Sequence, residues 1–204
     1  LYAGDGGTQS INGVGFSPDF VWIKSRNYAY SHALFDSVRG ASKWLTSNGT
    51  NVESTQTGLT SFDSDGFTLG SNTGQNDGSK TYVAWCWDAG SGSPVSNTVG
   101  TIPSTLKANT ATGFSIVSYT GNGTSGATVG HGLGVAPSMI IVKNRDAANY
   151  WIVQHTSLPS YTYNLYLQTT DPQQNDSQFT AANTSTVFQL DAGKSVNITS
   201  NKFI

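Results

Sequence analysis

Two copies of a Lys-x-Arg pair are the first residues whose types and spacing could do chemistry. Lys24 and Arg26 close the stretch GFSPDFVWIKSR, and Lys143 and Arg145 close GVAPSMIIVKNR, 119 positions later. Residues i and i+2 of a strand share a face, so each pair should present two cations together. Such a notch suits a sulfated, phosphorylated or carboxylated glycan. The alternative is a strand end whose long side chains cover apolar surface and pair with a carboxylate such as Asp36.

The five tryptophans are a second source of binding chemistry, because an indole ring offers a large amphipathic surface to a sugar. Trp44 and Trp151 stand beside polar residues and are our candidates for a surface ligand site. Trp22, Trp85 and Trp87 lie in the most apolar segments of the chain, so core packing is expected for these three.

Other motifs give little support to catalysis, a metal or a cofactor. GNGTSG, from Gly121, has the spacing of a nucleotide-binding loop, but the residues after it cannot form the helix that such a loop needs. DSDG from Asp63 and NDG from Asn76 resemble fragments of calcium loops, yet Asx turns account for both. The histidines have no metal-ligand spacing, and no G-x-S-x-G occurs. We therefore expect no catalytic residue, no metal site and no cofactor.

The composition indicates that short strands and turns must position these residues. Ser, Thr, Asn and Gly number 26, 25, 16 and 23, only 11% of residues are charged, and Glu53 is the single Glu. This is a poor supply for helix surfaces and a good one for strands and turns. The nearly balanced charge disfavours a polycationic nucleic-acid binder, and no apolar run is long enough for a transmembrane helix. Cys86, the only cysteine, is expected to be a buried thiol.

The repeated Lys-x-Arg motif belongs to a longer internal duplication. YAGDGG from Tyr2 matches YTGNGT from Tyr119, and YSHALFDSVRG from Tyr30 matches YWIVQHTSLPS from Tyr150. Farther along, KWLTS is opposite LYLQT from Leu165, DGFTLG is opposite TVFQLD, and SKTYVA is opposite NKFI. The order of the motifs is kept while their offset drifts slowly, as small loop insertions in a duplicated unit would produce.

Each repeat is long enough for one β-sandwich. The sequence therefore predicts an all-β fold of two tandem β-sandwich, jelly-roll-like domains at residues 1–90 and 113–204, with a linker at 91–112 that holds one edge strand. The first repeat has no counterpart of GFSIV, and the second has no C-terminal strand equivalent to AWCW. We expect a processed or partial chain of a longer array, or units completed by neighbouring chains, and hence a homo-oligomer.

The long motif GFSIVSYTGNGTSGATVGHGLGVAPSMIIVKNR, with ALFDSVRG, DGFTLG and YVAWCWDAG, resembles a repeated domain of structural proteins from marine and cyanobacterial tailed phages. The resemblance covers nearly the whole chain. It implies a tail-fibre-like or otherwise virion-surface protein, built of tandem β-domains and involved in host attachment. The second repeat has VQHTSLP where the first has LFDSVRG, so any role of Asp36 and Arg39 is confined to the first repeat.

Together these observations predict a non-enzymatic structural protein located on the virion, outside cells. Its expected partners are other virion proteins, further copies of itself, and a host-surface glycan or protein. No nucleic acid and no membrane insertion are expected. The alternative is a carbohydrate-binding, lectin-like module of a cell-surface or secreted protein. A hydrolase of surface polysaccharide is a third hypothesis, which would need two carboxylates to meet in space.

Overall fold

The computed structural model describes all 204 residues and is all-β, as the composition predicts. Its strands form small antiparallel sheets, and its one helix, α1 at Thr73–Asn76, has four residues. No helix is long and apolar enough to cross a bilayer. The chain divides into two compact units. Unit 1 contains Leu1–Asn48 and Glu53–Gly90, and unit 2 contains Gly49–Val52 and Ser91–Ile204.

Unit 1 contains the first nine strands of the chain. Their bounds are β1 Tyr2–Ala3, β2 Gln9–Asn12, β3 Phe20–Ser25, β4 Ala33–Asp36, β5 Lys43–Trp44, β6 Ser54–Thr55, β7 Leu59–Asp63, β8 Gly66–Leu69 and β9 Thr81–Trp87. A four-stranded sheet has the order β1-β9-β3-β4, and a three-stranded sheet has the order β2-β8-β7. Strands β5 and β6 form a separate pair.

The core of unit 1 lies between its two larger sheets. Strand β3 has apolar residues on both faces, so Val21 and Ile23 are buried while Phe20 and Trp22 alternate with them on the other face. Burial of one such aliphatic side chain contributes about 1.5–3 kcal/mol. The core residues come from both sheets and include Val21, Ile23, Ala33, Phe35, Leu59, Phe67, Leu69 and Tyr82.

Unit 2 contains the remaining ten strands. Their bounds are β10 Val95–Asn97, β11 Ser104–Asn109, β12 Phe114–Thr120, β13 Ala127–Gly130, β14 Met139–Val142, β15 Ile152–His155, β16 Tyr163–Tyr166, β17 Gln174–Asn175, β18 Val187–Leu190 and β19 Lys202–Phe203. Two four-stranded sheets have the orders β10-β11-β12-β19 and β14-β15-β16-β17, and β13 pairs with β18. Residues from all three sheets meet in one core, among them Tyr119, Val129, Val142, Ile152, Phe188, Leu190 and Phe203.

The segment 91–112, predicted as a linker with one edge strand, instead contributes two strands to a sheet of unit 2. Strand β11 pairs with β10 on one side and with β12 on the other, so it is internal. Pro103 lies directly before β11, where its missing N–H removes no ladder hydrogen bond. The Ser- and Gly-rich composition of this segment gives no strong strand signal, and β11 is stabilised instead by pairing with its neighbours β10 and β12.

An aromatic stack recurs in both units and shows that the sequence repeat is also a repeat of contacts. Tyr2 stacks on Tyr82 with ring centroids 5.1 Å apart, and it meets Phe67 edge-on at 6.4 Å. In unit 2 Tyr119 stacks on Phe203 with ring centroids 5.1 Å apart, and it meets Phe188 edge-on at 6.1 Å. Each stacked pair also joins directly opposed residues of neighbouring strands.

A buried asparagine fixes the turn after each of these tyrosines. The side-chain oxygen of Asn76 accepts the N–H of Asp5 at 2.9 Å, and its amide nitrogen donates to the carbonyl of Gly7 at 2.9 Å. Asn197 is the counterpart in unit 2, where the same two bonds measure 2.9 and 3.0 Å and involve Asn122 and Thr124. The glycines of YAG and YTG are required beside this contact, because a Cβ there would overlap a backbone carbonyl in either unit.

Strand pairing corrects one match that was made from the letters alone. Lys43 of β5 pairs with Thr55, and its counterpart in unit 2 is Tyr163 of β16, which pairs with Asn175. The repeat of KWLTS therefore begins at Tyr163, two residues before the predicted start at Leu165. With this register Leu45 and Leu165 are equivalent, since they pair with the equivalent residues Leu34 and Val153.

Candidate functional site

Lys143 is a fully buried lysine whose ammonium group is held by backbone carbonyls. Its Nζ donates to the carbonyl oxygens of Asn144 at 2.7 Å, Thr50 at 3.2 Å and Ala147 at 3.2 Å. Burial lowers the pKa of Lys143 to about 8, because the interior solvates the charge less well than water does. The prediction that Lys143 binds a ligand is therefore wrong, since no part of its charged group is accessible.

Lys24, the equivalent residue of unit 1, has the same role in a more open setting. Its Nζ donates to the carbonyl oxygen of Ser25 at 2.8 Å and to that of Tyr28 at 3.1 Å. These carbonyls match two of the three that Lys143 contacts, and they belong to the turn that follows the strand. The repeated lysine thus closes a turn, and Asp36, which was considered as its partner, pairs instead with Arg39.

The arginines of the two motifs are anchored alike through their backbones but differ in their surroundings. The N–H of Arg26 donates to the carbonyl of Thr81, and that of Arg145 donates to the carbonyl of Lys202, both at 2.8 Å. Arg26 is exposed, whereas Arg145 is half-buried and donates from Nη1 to the hydroxyl of Ser118 at 3.0 Å. Neither arginine forms a cationic notch with its neighbouring lysine, because each lysine turns toward the backbone.

The tryptophans lie almost opposite to expectation. Trp151, predicted at the surface, is only 4% exposed and lies in the core, so that prediction is wrong. Trp44 is half-buried, and its indole N–H is buried without a hydrogen-bond partner. Trp85, predicted in the core, is 45% exposed and meets the half-buried Trp22 edge-on at 6.2 Å. The predicted core packing holds only in part for Trp22 and Trp87, which are both half-buried.

A histidine supports the partly exposed aromatic face of unit 1. The indole N–H of Trp22 donates to Nδ1 of His32 at 2.7 Å. Burial, with a smaller effect of Lys24, lowers the pKa of His32 and favours the neutral ring that can accept this bond. The aromatic face therefore contains a fixed Trp22 beside the more exposed Trp85.

Two further side chains that could do chemistry have structural positions. His131 is buried, its Nδ1 accepts the N–H of Leu133, and burial lowers its pKa. Cys86 is half-buried rather than fully buried, and burial raises the pKa of its thiol to about 11. A thiol with this pKa is a poor nucleophile at neutral pH.

The charged cluster that is particular to unit 1 is buried and closed on itself. Arg39 pairs through Nε with Asp36 and through Nη1 with Glu53 at 3.1 Å. Its Nη2 donates to the carbonyl of Leu34 at 3.1 Å. The position of Asp36 in the strand pairing is taken in unit 2 by His155, so this cluster is not repeated. It joins the loop that follows β4 to the segment before β6.

The carboxylates of the fragments that resemble calcium loops also contact the protein itself. Asp65 accepts the N–H groups of Gly13 and Gly15 at 3.0 and 2.6 Å, and Asp63 accepts the hydroxyls of Ser61 and Thr68 at 2.8 and 2.7 Å. No group of three or more His, Cys, Asp or Glu side chains is arranged to hold a metal ion.

A shallow groove in unit 2 brings together two cations that are far apart in sequence. The groove encloses about 280 Å³ beside strands β11, β12 and β19. Arg145 and Lys202 contribute its charged side chains, and no Asp or Glu is among the residues that line it. Its remaining lining residues are Ser96, Pro103, Ser104, Thr105, Ser118, Tyr119 and Thr120. Strand pairing places Ser96, Thr105, Ser118 and Thr120 on the face of the sheet that carries Lys202, and Ser104 and Tyr119 on the opposite, core face.

The groove has both satisfied and unsatisfied hydroxyl groups. Ser118 accepts a bond from Arg145 and donates to the carbonyl of Phe203 at 3.1 Å, which fixes its orientation. Ser104 is only 6% exposed and its hydroxyl has no hydrogen-bond partner, but it directly opposes the core residue Tyr119 and so lies on the other face of the sheet from Ser118. Asp146 accepts the backbone N–H of Lys202 at 2.7 Å and so fixes the start of β19. The arrangement can bind an oxyanion but offers no nucleophile with an activating base.

Arg145 was predicted from its motif, whereas Lys202 was not. Matching NKFI to SKTYVA by residue type sets Lys202 opposite Lys80, so Lys202 looks like a repeated residue. The strand pairing places Thr81 opposite Ala3 and Lys202 opposite Thr120, so Thr81 is the true counterpart. With the correct register, the replacement of Thr81 by Lys202 in the second repeat is a sequence signal that this position differs between the units.

The fold and the groove define an all-β protein with a repeated scaffold and an open cationic surface in one unit. The chain belongs to the DUF7483 family, a domain of unknown function whose family model matches residues 1–204. No curated protein and no solved structure matches the chain significantly.

Proposed function

We propose that this chain is a non-enzymatic structural protein of a tailed-phage virion, tail-fibre-like or otherwise exposed on the particle, with a role in host attachment. The observation that carries the proposal is how the polar side chains are used. Lys143, Lys24 and Arg39 are engaged in scaffold contacts, whereas Arg145 and Lys202 line an open groove. A firmly held scaffold with a shallow polar surface suits adhesion better than it suits turnover of a substrate.

The architecture supports this role through repetition. Two sheets share one core in unit 1, which favours a β-sandwich there, and we propose a tandem arrangement of two such units. The repeated aromatic stacks and asparagine contacts make both units firm platforms. Contact with other virion proteins and assembly into a homo-oligomer would multiply weak surface contacts into strong attachment.

The location of the chain on particles is the first test of the proposal. Tailed-phage particles whose genome encodes this chain would be purified, digested and analysed by peptide mass spectrometry, with immunogold labelling of intact particles in parallel. We expect the chain in amounts comparable to other structural proteins and gold at the particle surface. A phage-encoded enzyme of nucleotide metabolism serves as the control for carry-over. Recovery of the chain at the level of this control would refute a virion role.

The alternative function is a carbohydrate-binding, lectin-like module of a cell-surface or secreted protein. The exposed Trp85 beside the fixed Trp22 favours it, because such indole faces can stack on sugar rings. Glycan-array binding that is lost in Trp85→Ala and kept in Trp44→Ala, in a chain absent from particles, would favour this function. Equal binding by both variants would count against an aromatic site at Trp85.

A further inference from the structure

We infer that the groove beside strands β11, β12 and β19 is a binding site for the oxyanion groups of an acidic polysaccharide, held between Arg145 and Lys202. The inference rests on the proposed attachment function and specifies the ligand class for one site. The shared ligand chemistry is a carboxylate or a sulfate ester carried on a sugar chain.

The charges of the groove are the first part of the argument. Two cationic side chains line it and no carboxylate does, although the whole chain has a formal net charge of −2. Arg145 is oriented by its bond to Ser118, so its planar group is held in place before any ligand arrives. An oxyanion binds most strongly to donors that are charged and already oriented.

The hydroxyl groups are the second part of the argument. Ser96 pairs with Thr105, Thr105 with Ser118, and Thr120 with Lys202, so these side chains share one face of the sheet. Hydroxyl groups can donate to an oxyanion and can exchange hydrogen bonds with the hydroxyls of a sugar. A ligand rich in hydroxyl and oxyanion groups therefore fits this surface, and an apolar ligand does not.

The comparison of the two units indicates that the site is particular to unit 2. Thr81 occupies the position of Lys202 in unit 1, and Asn27 takes the place of Asp146 in accepting the N–H of that residue. The strand pairing is kept in spite of these differences. The lysine is therefore not needed to form the fold, which leaves its charge available for binding.

The same comparison supplies variants that the fold should tolerate. Lys202→Thr installs the residue that unit 1 carries at that position. Lys194→Thr is the matched control, because Lys194 lies outside the groove. Its counterpart in unit 1 is Thr73, since the equivalent hydroxyls of Tyr119 and Tyr2 donate to the carbonyls two residues later, those of Val196 and Gln75. Both variants remove one positive charge from unit 2. Ser104→Ala is a second control, because it removes a hydroxyl from the core face of the same sheet and breaks no hydrogen bond.

Binding would be measured by isothermal titration calorimetry with the intact chain and three polymers of matched length. Alginate presents carboxylates, dextran sulfate presents sulfates, and dextran is the neutral comparison. We expect binding to at least one anionic polymer, none to dextran, and affinity that falls as salt is raised. Lys202→Thr should weaken this binding by about three- to tenfold, while Lys194→Thr and Ser104→Ala should each change it less than about twofold.

Two results would overturn the inference. The first is a failure of the chain to bind either anionic polymer at low ionic strength. The second is equal weakening of binding by Lys202→Thr and Lys194→Thr. Binding of single-stranded DNA with the same dependence on Lys202 would overturn the assignment to polysaccharide. Whether alginate or dextran sulfate binds more tightly identifies the oxyanion. A chain that is present on particles but fails these tests refutes the ligand class alone, whereas binding without a place on particles refutes the virion role alone.

Discussion

The two equivalent lysines of the repeat should differ sharply in their contribution to stability. Lys143 is fully buried and holds three carbonyl oxygens, whereas Lys24 is half-buried and holds two. Replacing either with Ala removes the donor. In unit 2 the carbonyl of Asn144 is then left buried and those of Thr50 and Ala147 partly buried, whereas in unit 1 water can more readily replace the lost ammonium group.

The size of the difference follows from these contacts. Three hydrogen bonds from a charged donor contribute roughly 2 kcal/mol each, or about 6 kcal/mol in total. Removing the buried ammonium at neutral pH returns about 3 kcal/mol, because its pKa lies at about 8 instead of 10.5. The net expected loss for Lys143→Ala is therefore about 3 kcal/mol. For Lys24→Ala we expect about 1 kcal/mol or less.

Urea unfolding followed by far-ultraviolet circular dichroism would measure both variants against the wild type. Peptide-resolved hydrogen exchange would assign each loss to unit 1 or unit 2. If Lys143→Ala does not fold, Lys143→Met keeps the apolar stem and still removes the donor. Equal losses below 1 kcal/mol at both positions would refute the view that Lys143 is a structural donor.

Three further predictions follow from buried groups. Between about pH 8 and 10.5 the folded chain has lost a proton at Lys143 that the unfolded chain still holds. The unfolding free energy of wild type relative to Lys143→Met should therefore rise by up to about 3 kcal/mol across this range. Urea unfolding at several pH values measures this difference, and a difference that stays constant would contradict the prediction. Asn197→Ala should lower the free energy of unfolding by about 2–4 kcal/mol, because it leaves the N–H groups of Asn122 and Gly123 and the carbonyl of Thr124 without their buried partner. The same urea assay measures this loss, and a value below about 1 kcal/mol would be inconsistent with the role assigned to Asn197. Trp151→Ala should cost about 3–5 kcal/mol and Trp85→Ala about 1 kcal/mol, since only the first is buried; thermal unfolding compares them, and the reverse order would show that the two environments are misassigned.

The parts of the fold that could be predicted from sequence are those with a local signal. The alternation and apolar letters of DFVWIKS predict a central strand, and β3 is paired on both edges. The tyrosines and glycines of YAG and YTG mark equivalent positions, because a close backbone approach excludes any other residue there. The repeat was therefore readable from its turns and strands without knowledge of the sheets.

The candidate site was harder to predict because its residues depend on contacts between distant segments. Lys24 and Lys143 occupy equivalent positions in similar motifs, yet only Lys143 contacts the carbonyl of Thr50. Nothing local indicates that contact, so the two lysines could not be separated by inspection. Arg145 was identified from its motif, but its position beside Lys202 follows from the pairing of β12 with β19.

The two errors on tryptophan have the same physical origin. Trp85 lies in an apolar strand, but it belongs to the face of β9 that points away from the core, as its pairing with Trp22 requires. Trp151 follows Asn149 and Tyr150 in sequence, yet it directly precedes the apolar start of β15 and is buried. Hydrophobic letters indicate that a strand has apolar faces, and tertiary packing decides which face is covered.

The most direct test of the central claim is competition for host adsorption. Host cells would be incubated with the purified chain before exposure to the tailed phage that encodes it, and free phage would be counted over time. We expect wild-type protein to slow adsorption in a concentration-dependent manner, Lys194→Thr to act like wild type, and Lys202→Thr to be weaker. Unchanged adsorption at protein concentrations that saturate the cell surface would contradict a role in host attachment.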